Sequence, residues 1–327
     1  MTKFINQIAG WINSDADGSC GFRNLKAKVD FLTEVLYHEY MPTQAGLHGE
    51  FRYRLSKWID SASTEEQRKL MFLLLEYLFF VGQKEFEALY QTAYSRHIAA
   101  WILMQEKIKV DSALAEMQLK KGLNNTIYTA ITDSFKIGDF LRLNSVQGAD
   151  FRFTWEQGLK MNWDPNKFVL ASGGKRIVLL EDFVGSGSQM ENAVMQACSL
   201  PNKPQVLLCP LIICPAGAEM ANELTNKFTN LTYSPVLELS KTSFITPDAS
   251  TGEPVLFKKV RNLIGELHPT VAGKSEWSQN YGPFGYGKTG ALIVKHDNCP
   301  DNTLPLIHHQ SDSPWHPLFY RVSRLPL

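Results

Sequence analysis

The chain has 327 residues, and its 33 Lys and Arg balance 33 Asp and Glu, so the formal net charge is zero. That excludes a chain-wide basic coat for nucleic acid and an acidic solvating tail; nucleic acid is expected only through a partner. With 44% apolar residues, 22 Gly and 16 Pro, collagen-like and low-complexity classes are also excluded, and about two domains are expected. The five cysteines, Cys20, Cys198, Cys209, Cys214 and Cys299, are odd in number and form no C-x-x-C pair. A reducing, cytoplasmic setting fits them better than a disulfide framework. The start shows no signal-peptide pattern. The most apolar run, Leu70 to Gly82, carries Glu76 and falls short of the roughly 20 residues a membrane span needs.

The first third predicts helices. Leu25, Val29, Leu32, Val35, Leu36 and Tyr40 recur with a 3.6-residue period, and the pattern stops at Met41-Pro42. A second helix is expected near Leu47 to Asp60. Ser63-Thr64-Glu65-Glu66 reads as a capping box before a buried helix over 64–82. Another helix is expected over 84–107, and a last one over 111–121 with Gly122 as its C-cap. Many aromatics here, including Trp58, Tyr77, Phe79, Phe80 and Trp101, are expected in the core, some of them at a partner or self-association surface.

After Gly122 the texture changes. Strands are predicted over 126–131, 175–183, 205–214 and 231–239. Helical spacing follows each of the first three, over 133–143, 189–200 and 216–228. This alternation predicts a parallel α/β sheet. From about 246 the chain reads as irregular, with turn-rich TPDASTGEP and YGPFGYGKTG and one more strand over 291–296. The expected division is a helical region at 1–122, an α/β core at 123–245 and an extension at 246–327 packing on that core.

The sharpest chemistry lies in RIVLLEDFVGSGSQMENAV, residues 176–194. A buried strand leads into two acids, a Gly/Ser loop and a helix start. Glu181 and Asp182 fall at the carboxyl end of the strand, where open α/β sheets place ligands. Gly185, Ser186, Gly187, Ser188 and Gln189 can present backbone N–H groups and hydroxyls at a helix N-terminus, which suits a phosphate. Thr132, Asp133 and Ser134 follow the strand at 126–131 and offer a second loop, or a helix cap. Lys175, after Ser172-Gly173-Gly174, can donate to phosphate.

Two other patterns compete for attention. Gly282 to Thr289 fits G-x-x-x-x-G-K-[ST], but a P-loop follows a buried strand and opens a helix, and here a strand-like run follows. His296, His308, His309 and His316 cluster near Asp297, Cys299 and Asp301. Their spacing matches no standard zinc site, so no metal site is assigned and polar turns are expected.

The 176–194 segment resembles the signature of the type I phosphoribosyltransferases, a hydrophobic strand leading into two acids and a small Thr/Gly loop. The resemblance implies a parallel sheet of type I phosphoribosyltransferase type behind the helical N-terminal region. It further implies that Glu181 and Asp182 hold the ribose hydroxyls of phosphoribosyl pyrophosphate, while Gly185 through Gln189 cradle the 5′-phosphate. Gln189 stands where the family usually has Thr or Ser. Thr132-Asp133-Ser134 takes the place of the pyrophosphate loop, and Mg²⁺ would be held mainly by the substrate. The C-terminal segment is similar to phosphoribosyltransferase-like proteins of bacterial conflict systems. His296, Asn298, Pro300, Asn302, Thr303, Leu304 and Pro305 carry that likeness, followed by Trp315, Pro317, Leu318, Phe319 and Arg321. This implies an antiviral defence role, in some relatives beside retron reverse transcriptases. It implies a protein partner docked by the helical region, or a homo-oligomer. Both a transferase and a non-catalytic ribose-phosphate sensor fit these residues.

Overall fold

A computed structural model describes residues 2–15, 18, 21–42, 49–146, 154–160, 175–274 and 282–322. In chain order its elements are α1 (Thr2–Ser14), α2 (Phe22–Val35), α3 (Phe51–Asp60), α4 (Glu65–Leu74), β1 (Phe79–Val81), α5 (Gln83–Thr92), α6 (Ala99–Gln105), α7 (Ala115–Asn124), β2 (Ile127–Ala130), α8 (Ile137–Leu143) and α9 (Trp155–Lys160). Then come β3 (Arg176–Val184), α10 (Ser188–Ser199), β4 (Gln205–Ile213), α11 (Pro215–Lys227), β5 (Leu231–Tyr233), β6 (Leu237–Glu238), α12 (Val255–Ala272), β7 (Ile293–Lys295) and α13 (Pro305–His308). The chain forms two compact units: residues 1–83 with 241–327, and residues 84–240.

The expected boundaries at 122 and 245 therefore move. One hydrophobic core takes Phe4, Trp11, Leu25, Trp58 and Phe72 from the N-terminal segment together with Phe257, Ile264, Leu306 and Phe319 from the C-terminal one. Neither segment buries its apolar face without the other, so the C-terminal extension shares a core with the first helices. The helix expected over 64–82 is also shorter. Thr64 caps α4 through its side chain, which accepts from the Gln67 N–H in a complete capping box. The helix then stops at Leu74, and Phe79, Phe80 and Val81 pair in parallel with Ile293, Val294 and Lys295. A short apolar run does not tell strand from helix by periodicity, and its partner here is remote in the sequence. The region read as irregular contains the 18-residue helix α12, whose Phe257, Val260, Leu263, Ile264, Leu267 and Val271 are buried. Among the aromatics, Trp58, Trp101 and Phe80 are buried, whereas Tyr77 and Phe79 are exposed.

The Gly282–Thr289 run belongs to this first unit. It forms a turn and a single 3-10 turn, Tyr286–Lys288, and then leads to β7 rather than to a helix. The glycine that follows it serves a backbone crossing. Gly290 has φ +62°, and a Cβ there would lie 2.0 Å from the Ile245 carbonyl oxygen. The Ile245 N–H donates to the Gly290 carbonyl at 2.9 Å. The polar residues of the neighbouring segment act as clamps. The Asn298 amide donates to the Val322 carbonyl at 3.0 Å and accepts from the Val322 N–H at 3.1 Å. The Thr303 hydroxyl donates to the Ile293 carbonyl at 2.5 Å. His308 and His309 are buried rather than set in wet turns. Burial pushes His308 down to about 3 and lowers His309, so both are neutral at pH 7. Among the described residues no three His, Cys, Asp or Glu side chains are grouped to hold a metal.

The second unit carries the larger sheet, all parallel, in the order β2-β3-β4-β5, with β6 also on β4. Burial on both faces explains the near-continuous apolar runs of β3 and β4. Helices α10 and α11 cover one face through Met190, Val194, Ala197, Ala218 and Leu224. The expected helix over 84–107 is present as α5 and α6 joined by a π-helical turn at Ala93–Ile98, which sets His97 Nδ1 2.8 Å from the Ser234 hydroxyl. Helix α7 runs past Gly122 to Asn124. Gly122 is thus no C-cap. A Cβ there would lie 2.5 Å from Ile102 Cγ2, so the glycine lets α7 approach α6 closely. The described cysteines, Cys198, Cys209, Cys214 and Cys299, are all buried and form no disulfide. Burial raises their thiols, Cys198, Cys209 and Cys299 to about 12, which makes them poor nucleophiles.

Candidate functional site

The site is assembled by the strand register of the second unit. Ala130 of β2 lies opposite Leu180 of β3, and Glu181 lies opposite Pro210 of β4. The Ile131 N–H continues the ladder by donating to the Leu180 carbonyl at 2.8 Å. The turn that follows β2 is therefore laid directly against the two acids that end the apolar part of β3. Thr132 donates its backbone N–H to Glu181 Oε2 at 2.8 Å and its hydroxyl to Oε1 at 2.5 Å. The Ser134 hydroxyl lies 2.8 Å from Glu181 Oε1 and 2.7 Å from Asp182 Oδ1. Asp182 Oδ1 also accepts the Phe183 N–H at 2.8 Å.

Both acids are buried, Glu181 4% and Asp182 2% exposed. Burial first, and then the neighbouring Asp182 charge, raise the Glu181 carboxyl well above its usual range. This gives stability a sign with pH. Glu181 holds its proton more tightly folded than unfolded, so its contribution is complete below the ordinary value of 4.5 and is lost as pH rises toward the folded value. Glu181→Gln keeps a neutral, hydrogen-bonding side chain. Its melting temperature, measured by circular dichroism between pH 5 and pH 8, is expected to gain on the wild type as pH rises. A constant difference between the two would contradict this assignment.

The loop after the strand leads into α10. Gly187 precedes the first residue of the helix with φ +90°, and among the described residues no side chain caps that end. Uncapped N–H groups and the helix dipole make it a favourable seat for an anion. Ser186 is half-buried, Ser188 and Gln189 are exposed, and Gly185 is buried. The Ser186 and Ser188 hydroxyls lie 3.5 Å apart. The positive φ at 187 is one that glycine adopts readily, and close packing adds a second reason for glycine there. A Cβ there would meet Met220 Sδ at 3.0 Å and Gly217 Cα at 3.4 Å, so the position serves the contact between this loop and α11.

The expected residues do not all converge. Glu181, Asp182, Thr132 and Ser134 form one cluster, and the loop 185–189 follows it along the chain. Asp133 is exposed on the turn. Lys175 lies before the amino end of β3, six residues from Glu181, which is roughly 20 Å along an extended strand. The Ser172–Gly174 loop before it lies outside the described residues. Its neighbour Arg176 is committed elsewhere: Nε donates to the Thr126 hydroxyl at 3.3 Å, one terminal nitrogen donates to the Gly122 carbonyl at 3.2 Å, and the other pairs with Glu106. Sequence reasoning missed Thr154 to Glu156. Thr154 bridges to Ala130, and the Glu156 N–H donates to the Ile131 carbonyl at 3.0 Å, so α9 starts beside the site. Trp155 Nε1 donates to Gln196 at 2.8 Å and ties α9 to α10. The signal available was the alternation of aromatics at Phe151, Phe153 and Trp155, too short to assign alone.

Among the described residues no helix is long and apolar enough to cross a membrane. No curated protein and no solved structure matches the chain. A family model, PRTase-CE, matches residues 55–321. That span covers most of the chain and includes the whole α/β unit, the acid pair and its loop. The chain belongs to the PRTase-CE family and is a phosphoribosyltransferase-like protein.

Proposed function

We propose that the chain is a phosphoribosyltransferase-like effector acting on phosphoribosyl pyrophosphate or a related ribose phosphate or nucleotide, at the carboxyl end of β3. The observation that carries this is the run of strand, acid pair, glycine-bearing loop and uncapped helix N-terminus in one continuous segment, 176–199. The acids would accept hydrogen bonds from ribose hydroxyls, and the loop and the first turn of α10 would meet the 5′-phosphate. The chemistry would be displacement at the ribose anomeric carbon, with pyrophosphate leaving and charge building on the ring as in glycoside cleavage. The chain's role is to fix the ribose and the phosphate relative to the acceptor. As the family likeness implies, a Mg²⁺ ion would be held mainly by oxygens of the substrate and would offset the charge of the leaving group.

One observation favours a second reading, a ribose-phosphate or nucleotide sensor without turnover. The turn at 132–134 spends its hydroxyls on the acid pair and offers no cradle of glycines or cations for pyrophosphate. In both readings we place the protein in antiviral defence with a protein partner, such as a reverse transcriptase complex, or a second copy of itself. This extends the likeness of its C-terminal segment to conflict-system proteins. Pyrophosphate release from phosphoribosyl pyrophosphate, followed with Mg²⁺ and a panel of nucleobases, separates the two. Base-dependent release establishes the transferase; calorimetric binding without release establishes the sensor; the absence of both removes the proposal.

A further inference from the structure

The oxygen cluster at the acid pair has too few hydrogens for its contacts. Thr132 Oγ1, Ser134 Oγ, Glu181 Oε1 and Asp182 Oδ1 make four contacts of 2.5–2.8 Å among themselves. Each hydroxyl carries one hydrogen. The two hydroxyls thus supply two; burial and the adjacent charge favour a proton on Glu181, and even that proton would bring the supply only to three. At least one close oxygen pair is left without a hydrogen between them. Ser134 is the focus of this shortage. Its single hydroxyl hydrogen faces both carboxyl groups, and it sits 2.7 Å from Thr132 Oγ1 as well. Ser134 is half-buried, whereas Thr132 is buried and also anchors Glu181 through its backbone N–H.

We infer that Ser134 is a specificity-determining stand-in, holding the place on the acid pair that the two adjacent hydroxyls of a ribose-type diol take when they displace it. A diol brings two donors where Ser134 brings one, so exchange fills the missing hydrogen. A ligand with a phosphate but no diol gains nothing from moving Ser134. Thr132 keeps its N–H on Glu181 throughout, so the turn pivots without leaving the strand. The inference rests on the functional reading above, in which the acid pair receives ribose hydroxyls.

The test is calorimetric titration of the full chain with Mg²⁺, using ribose 5-phosphate and, as a probe lacking a diol, inorganic phosphate. Ser134→Ala removes the competitor and is expected to tighten ribose 5-phosphate about tenfold, the equivalent of one hydrogen bond to a charged group that no longer has to be broken. Its affinity for inorganic phosphate should stay within about twofold. Ser134→Thr restores the hydroxyl and should restore wild-type values. In the unmodified chain, hydrogen exchange across 132–136 should change with ribose 5-phosphate and not with phosphate, a measurement independent of how the variants fold. If wild type binds ribose 5-phosphate and Ser134→Ala binds it equally or more weakly, or exchange at 132–136 does not respond, this inference falls and the functional reading stands. If wild type, Ser134→Ala and Ser134→Thr are all folded and none binds ribose 5-phosphate, the functional reading falls and takes the inference with it.

Discussion

Glu181→Gln combined with Asp182→Asn is expected to yield a folded chain that binds phosphoribosyl pyrophosphate or a nucleoside monophosphate at least 100-fold more weakly. Hydrogen bonds to a charged group contribute about 1.5–3 kcal/mol each, and a tenfold change in affinity is about 1.4 kcal/mol, so removing the charge of the pair, at which a diol directs two hydrogen bonds, reaches that figure. The fold should survive because the amides keep the shape, and the Thr132 and Ser134 hydroxyls can accept from the new NH₂ groups as well as donate. Ser186→Ala should cost less, since the contact of its hydroxyl with Ser188 is long, at 3.5 Å, and the backbone amides of the loop remain. Titration of wild type and variants with Mg²⁺ present checks this. Equal binding by wild type and the double variant would place the ligand elsewhere. Gly187→Val is a poor probe of the same site, because Met220 and the positive φ make it a test of packing against α11.

The largest loss of stability is expected at the backbone crossing in the other unit. Gly290→Ala puts a Cβ 2.0 Å from the Ile245 carbonyl oxygen at a φ of +62°. A left-handed backbone alone costs an alanine about 1–2 kcal/mol. The clash must also separate segments joined by the Ile245-to-Gly290 and Gly290-to-Phe284 hydrogen bonds, each worth about 1 kcal/mol net. A destabilisation of roughly 3–4 kcal/mol should follow from these terms together, seen in a shifted urea midpoint. Lys288→Ala, in the turn just before the crossing, removes the lysine of the apparent P-loop and should leave ATP affinity and stability nearly unchanged. A melt of Gly290→Ala that matches wild type would show that these backbones can separate freely. Loss of ATP binding in Lys288→Ala would restore the P-loop reading.

Local periodicity and local chemistry made much of the second unit legible in the residues alone. The alternation of apolar strands and helices from 126 to 228 predicted a parallel sheet, because buried parallel strands need apolar residues on both faces. The Ser63-to-Glu66 pattern announced the start of α4 to within one residue, since a cap acts within three residues; the cap itself is Thr64, with Gln67 as its partner. The acid pair and its glycine loop were legible as a candidate site for the same reason: strand end, turn and helix start are contiguous in the chain. The period of helix α12 is present too, in Phe257, Val260, Ile264, Leu267 and Val271, but the turn-rich segments on either side obscured it.

Features that depend on distant partners were set by packing and strand pairing. Phe79 to Val81 became a strand because residues 293–295 offered a ladder, a pairing that local propensity does not encode. The C-terminal segment joined the first helices because their apolar faces complete one core. Lys175 fell away from the acids because strand length carried it to the other end of β3. Thr132 and Ser134 reached Glu181 and Asp182 through the register of β2 on β3, so side chains remote in the sequence set their role. Glycines 187 and 290 were visible as turns, yet what each one faces, α11 and the Ile245 carbonyl, is a matter of close packing. Local free energies select elements within a few residues, whereas burial and register, summed over the folded chain, select which of their side chains meet.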